Sequence, residues 1–171
     1  MLRSTARPGD LIFVTHEVGD AVLALEYLNK KISLSERDAQ KVLPRLFRPS
    51  PRVHEGIILR NIATSAIDIS DGLHGDLQHI LEASQVGAII YVDQIPISDT
   101  LKKQPCDSRR RIALHSGDSY ELCFTVPKNA VIPLLPCGIS CIGEVIEGKN
   151  IQLLDDNNNT VIVAGLVFSI F

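Results

Sequence analysis

Apolar and polar positions follow two rhythms along the chain, and each rhythm predicts a type of element. Short apolar runs bounded by turn residues predict strands at residues 11–14, 65–69, 87–92, 121–126 and 139–146. Apolar residues at three- and four-residue spacing predict helices over residues 20–28, 35–47 and 73–84. Strands and helices therefore interleave along the chain.

Proline residues mark two further helix starts in this pattern. Pro51 suits the first position of a helix, because its fixed φ is already helical and its missing N–H has no partner there. We expect this helix to carry Val53, Ile57 and Ile58 inward. Pro127, directly after a predicted strand, marks the start of another short helix.

Three other segments carry turn or loop signals. Gly143 predicts a bulge within its strand. Residues 96–111 are polar and basic, and we expect a mobile connection there. Residues 155–159, which are all Asp or Asn, tolerate positive φ and predict a hairpin turn between strands at 151–154 and 160–163.

The order of these elements lacks the strict βαβ rhythm of a doubly wound sheet. It favours an α/β fold in which a mixed sheet forms a layered sandwich with helices. The 171 residues are enough for one core, since domains most often have about 100–150 residues, so we expect a single domain over residues 1–171.

Composition narrows the classes of partner. Hydrophobic residues make up 45% and charged residues 22% of the chain, which is typical of packed globular proteins. The net charge of −3 provides no overall positive field to attract nucleic acid or an anionic membrane. Aromatic residues are 5% and Trp is absent, so no stacking platform for single-stranded nucleic acid is predicted.

Localisation and redox state follow from smaller signals. No apolar run reaches the ~20 residues of a membrane span, and the first ten residues lack a secretory apolar region, so we expect a cytoplasmic protein. The four cysteines lack CxxC spacing and are interpreted as thiols, with Zn²⁺ at Cys137 and Cys141 the lesser alternative. We assign none of the five histidines to catalysis.

The strongest chemical motif is Asp68-Ile69-Ser70-Asp71-Gly72. It lies where a predicted strand ends and a helix begins, so Asp68, Ser70 and Asp71 would place oxygen ligands near helix N–H groups. Such a site suits Mg²⁺ bridging to a nucleotide phosphate. The alternative is that Ser70 or Asp71 only caps the helix. The position of Asp68 argues against this alternative, because an acid among apolar residues is costly to bury unpaired.

A second motif runs over residues 113–124, where a polar cluster enters an apolar strand. Asp118 and Glu121 lie at the strand's entry, where they could bind cationic or hydroxylated groups of a substrate. The alternative is an ordinary loop with Glu121 pointing at solvent. The basic residues at 102, 103 and 109–111 are interpreted as a solvated loop face.

These two motifs resemble those of bacterial thiamine-monophosphate kinases, and the chain is similar to the C-terminal domain of that family. The resemblance covers nearly the whole chain in collinear order. Besides the two motifs it includes Ala6-Arg7-Pro8-Gly9-Asp10, Arg48-Pro49-Ser50-Pro51-Arg52-Val53 and Ile95-Pro96-Ile97-Ser98. It implies the layered α/β fold of the aminoimidazole ribonucleotide synthetase superfamily.

The resemblance also implies an activity and site roles. The family transfers the γ-phosphoryl of ATP to thiamine monophosphate, giving thiamine diphosphate and ADP, with Mg²⁺ ions. By its motifs Asp68 and Asp71 would bind Mg²⁺ and Ser70 would meet the nucleotide. Asp118, Glu121 and Phe168 would face the thiamine substrate.

The resemblance further implies a missing partner and some altered positions. The family's full enzyme has an N-terminal metal- and ATP-binding domain that this chain lacks, so we expect the chain alone to be inactive; monomer and homodimer stay open. The family usually has glycine at positions 16 and 116, an acid at 119 and His at 170, where this chain has His16, Ser116, Ser119 and Ile170. Two alternatives are a non-catalytic binding module and a superfamily enzyme with another phosphate acceptor.

Overall fold

A computed structural model describes residues 1–163, and one mixed sheet is its main feature. The strands are Asp10–Thr15 (β1), Ser65–Asp68 (β2), Gly87–Tyr91 (β3), Leu122–Pro127 (β4), Ile139–Ile146 (β5) and Ile151–Leu154 (β6). The α-helices are Asp20–Leu28 (α1), Glu36–Phe47 (α2), Val53–Leu59 (α3), Leu73–Ser84 (α4), Asp99–Lys102 (α5) and Cys106–His115 (α6). A short 3₁₀ helix covers Val92–Gln94.

The strand order is β2-β4-β1-β5-β3-β6. All neighbours pair antiparallel except β3 and β6, which run parallel. This mixed sheet confirms the predicted fold class. The bulge predicted near Gly143 is also confirmed, because Ile12 lies opposite Gly143 while Phe13 lies opposite Cys141, which leaves Ile142 as the extra residue.

Helices cover the sheet in layers. On one face, apolar residues of α4 and α6 pack against β1, β2, β3 and β5 in the largest core cluster. On the other face, Leu59 of α3 packs with Phe124 and Val126 of β4. Helices α1 and α2 form a third cluster with Leu101 and Ile112. The end of β2 at Asp68 and the start of β4 at Leu122 therefore belong to a sheet that helices cover on both faces.

The inward face of α3 differs from the prediction. Val53 and Ile57 are 65% and 57% exposed, although the apolar pattern had placed them inside. Glu55 and Leu59 are buried instead, and Ile58 packs beside Leu59. An ion pair contributes to this orientation of α3, because Glu55 turns inward and its Oε1 lies 3.9 Å from Arg52 Nη1.

The polar connection predicted at residues 96–111 is wrong, since it contains α5 and most of α6. Ser98 begins α5 by accepting a hydrogen bond from the Leu101 N–H, and Leu101 is fully buried. The basic residues are not simply a solvated face, because Arg110 pairs with Asp93 and Arg111 pairs with Glu26.

Two smaller predictions also need correction. Pro127 is the last residue of β4, opposite Asp10, and does not open a helix. The hairpin turn at residues 155–159 is present, but its second arm forms only a bridge between Leu154 and Thr160. Among the described residues, no helix is long and apolar enough to cross a bilayer. All four cysteines are free, and burial raises the pKa of Cys123 to about 12.

Candidate functional site

The turn between β2 and α4 carries the first predicted motif. Asp68 ends β2, where it lies opposite Leu122 of β4, and both Asp68 and Asp71 are exposed. Gly72 is the N-cap of α4 with φ +118°, and no side chain caps this helix. A Cβ on Gly72 would lie 3.0 Å from the His115 carbonyl carbon, so the turn is pressed against the end of α6. The interpretation of Ser70 or Asp71 as a simple cap is therefore wrong.

Asp76 holds this turn from behind. It is buried in the first turn of α4, and its Oδ2 accepts hydrogen bonds from the Ser70 N–H at 2.9 Å and the Asp71 N–H at 3.0 Å. These two N–H groups are therefore not free for a phosphate, contrary to the expectation from the helix start. Sequence reasoning gave Asp76 no role. Its signal is an acid between Leu73 and Leu77, on the apolar face of α4.

The second motif lies directly against this turn. The Ile69 N–H donates to the Glu121 carbonyl at 2.8 Å, the Tyr120 N–H to the Ile69 carbonyl at 2.9 Å, and the Asp118 N–H to the Ser70 carbonyl at 2.9 Å. A Cβ on Gly117 would lie 2.6 Å from the Ser70 carbonyl oxygen. The structure thus brings together Asp68, Ser70, Asp71 and Asp118, which are up to 50 positions apart in the sequence.

The loop that carries Asp118 has an unusual backbone. Asp118 and Tyr120 have φ values of 56° and 50°, in the left-handed region that side chains other than glycine seldom adopt. Such a conformation persists only where its surroundings enforce it, and functional sites are a common place for it. His16, with φ 46°, is a third such residue, which accords with the glycine expected at that position.

Three exposed carboxylates surround Tyr120. Its hydroxyl donates to Asp118 Oδ1 at 3.2 Å, and this hydrogen bond, with the charges of Asp118, Asp68 and Asp71, raises the pKa of Tyr120. Within residues 1–163, Asp68 and Asp71 have neither a hydrogen-bond nor an ion-pair partner for their side chains. They are therefore available to a cation.

The donor set fits Mg²⁺ bound in part by a substrate. Carboxylate oxygens are the ligands that Mg²⁺ prefers, and it commonly takes one or two of them together with phosphates and water. The described residues contain no group of three or more His, Cys, Asp or Glu side chains placed to hold a metal. A cation at Asp68 and Asp71 would thus need further ligands from a bound molecule or another segment.

Glu121 lies behind the loop and not on its exposed side. Its side chain is 1% exposed, so the alternative in which it points at solvent is wrong. Arg52 donates to both carboxylate oxygens, from Nε at 2.7 Å and Nη2 at 2.8 Å, and Thr15 Oγ1 donates to Oε2 at 2.7 Å. The contact of Glu121 with a substrate stays a prediction, and its partner Arg52 was missed because the two are 69 positions apart.

Several other positions named in the sequence analysis lie near these loops. Ser116 is buried at the end of α6, and Ser119 borders a crevice beside Asp118. His115 lies next to His74, with ring centroids 5.9 Å apart, and burial and this neighbour lower the pKa of His74 to about 4. Phe168 and Ile170 lie outside the described residues.

Comparison with known proteins gives consistent matches. Residues 7–156 match the family model described as AIR synthase related protein, C-terminal domain. The thiamine-monophosphate kinase of Salmonella typhimurium is 43% identical over 159 residues, which cover 86% of this chain and 49% of that protein. The chain therefore spans about half the length of the curated relatives it matches.

Solved structures agree with this. The crystal structure of thiamine-monophosphate kinase from Stenotrophomonas maltophilia has a TM-score of 0.79 and 32% identity, covering 90% of this chain and 52% of that chain. AaThiL in complex with AMPPCP and TMP has a TM-score of 0.79 and 29% identity, and the match covers 93% of this chain and 51% of that chain.

Proposed function

Since the chain belongs to the family of AIR synthase related proteins, matching their C-terminal domain, we propose that it is the C-terminal part of a thiamine-monophosphate kinase. The observation that carries this proposal is the joining of two loops into one surface. Backbone hydrogen bonds between residues 69–70 and 118–121 join the turn that carries Asp68, Ser70 and Asp71 to the loop that carries Asp118. The reaction is ATP-dependent phosphorylation of thiamine monophosphate to thiamine diphosphate.

Asp68 and Asp71 are the proposed Mg²⁺ ligands, and Ser70 between them is the proposed contact to the nucleotide. Both carboxylates are exposed and free of partners in the described part of the chain, whereas Asp76 fixes the backbone beneath them. When bound, Mg²⁺ neutralises phosphate charge and aligns the phosphates. The turn's own contribution is to hold two carboxylates at fixed positions without covering them.

Asp118, Glu121 and Phe168 are the proposed substrate residues. Asp118 is exposed on the same surface, and the tight backbone contact with Ser70 keeps it close to the nucleotide side. Glu121 is the proposed substrate residue behind the loop, where Arg52 and Thr15 hold its carboxylate in a fixed position. An oxygen of the thiamine monophosphate phosphate bonds to the γ-phosphorus of ATP, the bond from that phosphorus to the bridging oxygen breaks, and ADP leaves. Positioning and charge neutralisation suffice for such a step, so no protein nucleophile is required.

Turnover would require more than this chain. Because the chain spans about half of its curated relatives, we propose that the N-terminal half of those proteins supplies the remaining ligands. The chain alone would then fold and bind ligand weakly, with negligible product formation. Rapid formation of thiamine diphosphate by the purified chain would contradict this part of the proposal. Pairing as a homodimer stays a prediction.

Calorimetric titration of ATP into the chain, with and without Mg²⁺, tests the proposed function. A second series uses a two-domain protein that restores the N-terminal half of the Salmonella typhimurium relative. Asp68→Asn and Asp71→Asn should abolish the Mg²⁺-dependent part of ATP binding. The matched control is Asp156→Asn, an exposed aspartate in the turn after β6.

The outcome separates the alternatives. Unchanged ATP binding in both Asn variants would favour a non-catalytic binding module of the same fold. Mg²⁺-dependent ATP binding without any preference for thiamine monophosphate over aminoimidazole-type ligands would favour a superfamily enzyme with another phosphate acceptor.

A further inference from the structure

Arg45, in the last turn of α2, has an unsatisfied donor. Its Nη2 is shielded from water and has no hydrogen-bond partner among residues 1–163. The nearest acidic atom is Glu121 Oε1, 3.8 Å away, which is too far for a hydrogen bond. A shielded donor on a charged group without an acceptor is destabilising, and such groups in folded proteins call for an explanation.

Glu121 does not satisfy Arg45 because Arg52 is already bound to it. The Arg52 guanidinium contacts both carboxylate oxygens, and Thr15 takes a further position on Oε2. Arg45 is left with a Coulomb attraction to Glu121 and no directed bond. Its side chain is 26% exposed, so it reaches the surface although Nη2 does not.

The surface that Arg45 reaches is a crevice beside the loop that carries Asp118. The crevice is lined by Gly19, Asp20, Arg45, Pro49, Asp118 and Ser119, together with Glu17. The crevice is narrow, with room for about one water molecule or one ligand oxygen. An oxygen that enters between α1 and the Asp118 loop would therefore meet the Arg45 guanidinium.

Three acidic residues line the crevice, and none of them forms an ion pair with Arg45 among residues 1–163; the third, besides Asp20 and Asp118, is Glu17. Asp20 is buried, and its Oδ1 accepts a hydrogen bond of 2.6 Å from Ser98. Burial, which is the main cause, raises the pKa of Asp20 and so disfavours its charged form. Asp118 accepts from Tyr120 on the exposed side. Neither residue forms an ion pair with Arg45 in the described part of the chain.

We propose that Arg45 binds a phosphate oxygen of the acceptor substrate, and so discriminates the monophosphate ester from unphosphorylated thiamine. This inference rests on the proposed function and adds a specificity residue to it. The chemistry is that of a guanidinium, whose N–H groups bond phosphate oxygens directly. Arg45 lines the same crevice as Asp118, the proposed acceptor residue, so this contact would lie on the acceptor's side of the proposed site.

The test measures binding of thiamine monophosphate, thiamine, inorganic phosphate and ATP to the chain by calorimetry in the presence of Mg²⁺. The variants are Arg45→Gln and Arg45→Lys, and the control is Arg48→Gln, which removes an exposed arginine three residues later. Arg45→Gln should weaken binding of thiamine monophosphate by about ten- to a hundredfold, the size of one charge-assisted hydrogen bond. Thiamine affinity should change less than twofold, Arg45→Lys should restore part of the loss, and Arg48→Gln should behave as wild type.

Each other outcome overturns the inference. If thiamine monophosphate binds and its preference over thiamine survives Arg45→Gln, Arg45 has no part in recognition, while the proposed function stands. If ATP or inorganic phosphate alone loses affinity, the arginine serves a different phosphate source. If neither thiamine compound binds wild type, either in the chain or in the two-domain protein that restores the N-terminal half, the substrate of the proposed function fails together with the inference. Circular dichroism confirms that each variant is folded.

Discussion

Asp68 and Asp71 lie on the exposed side of the turn between β2 and α4, whereas Asp76 and Glu121 lie behind it in the interior. The exposed pair has no partner in the described structure. The buried pair is almost fully occupied, since Asp76 accepts two backbone N–H groups and Glu121 bonds Arg52 and Thr15. The same kind of side chain is therefore left unpaired in front, where the proposed ligands would bind, and stabilises the fold behind. Substitutions on the two sides should differ in which measurement they change.

Glu121→Ala should have the largest effect on stability. It removes the buried partner of Arg52 and leaves a guanidinium that is only 13% exposed without its bidentate acceptor. Loss of one member of a buried ion pair costs about 3–5 kcal/mol. Urea denaturation measures the free energy of unfolding. A loss below about 1 kcal/mol would mean that Glu121 belongs with the exposed acids.

Asp76→Ala should have the next largest effect on stability, because it leaves the Ser70 and Asp71 N–H groups without their acceptor. Hydrogen bonds to charged groups contribute about 1.5–3 kcal/mol, and we expect a loss of about 2–3 kcal/mol. Asp76→Asn keeps an acceptor oxygen and should lose less. The same urea series compares them, and equal losses would contradict the proposed role of the Oδ2 atom.

His74, a half-buried basic side chain in the first turn of α4, extends the comparison beyond the acidic residues. Burial, and then the neighbouring His115, lowers its pKa to about 4, against a usual value of about 6.5. The unfolded chain therefore takes up a proton at higher pH than the folded chain. Stability should be full above pH ~6.5 and fall as the pH decreases toward ~4. His74→Gln should flatten this slope, and His79→Gln, exposed on the same helix, should not.

Asp68→Asn and Asp71→Asn should have the smallest effect on stability. Both side chains are exposed and unpaired within residues 1–163, so the free energy of unfolding should change by less than about 0.5 kcal/mol. The pKa of Tyr120 should fall toward its usual value, although the hydrogen bond to Asp118 remains the main cause of its increase. Tyrosinate absorbance, assigned with Tyr120→Phe, follows it. A stability loss above 1 kcal/mol would remove the distinction between the two sides.

Much of the sheet was predictable because its strands are short apolar runs with clear ends. β5 and α4 occupy the predicted residues, and Gly143 lies at the predicted bulge. Residues 99–102 and 106–115 were missed as helices because only a few side chains of each are buried and the rest are charged. Their apolar pattern is too short to outweigh that polar composition.

The candidate site, like the fold, was predictable from the sequence only in part. The motif containing Asp68 and Asp71 can be found from sequence because short oxygen-bearing side chains cluster where an apolar strand ends and a helix begins. The cost of burying Asp68 is not the signal, since its side chain is exposed. The pairing of Glu121 with Arg52 depends on the packing of α3 against the start of β4, which no local pattern specifies. Val53 and Ile57 were misplaced for a related reason, since the charged contact of Glu55 turns α3 over.

The backbone hydrogen bonds between residues 69–70 and 118–121 have a consequence for engineering. They extend the β2–β4 pairing beyond the sheet, so backbone hydrogen bonds join the turn that carries Asp71 to the loop that carries Asp118. A designer who lengthens the Asp118 loop to admit a bulkier acceptor would also displace Asp71. Under the proposed function, acceptor choice and cation geometry would therefore change together, and redesign should begin at the crevice wall formed by Gly19 and Pro49.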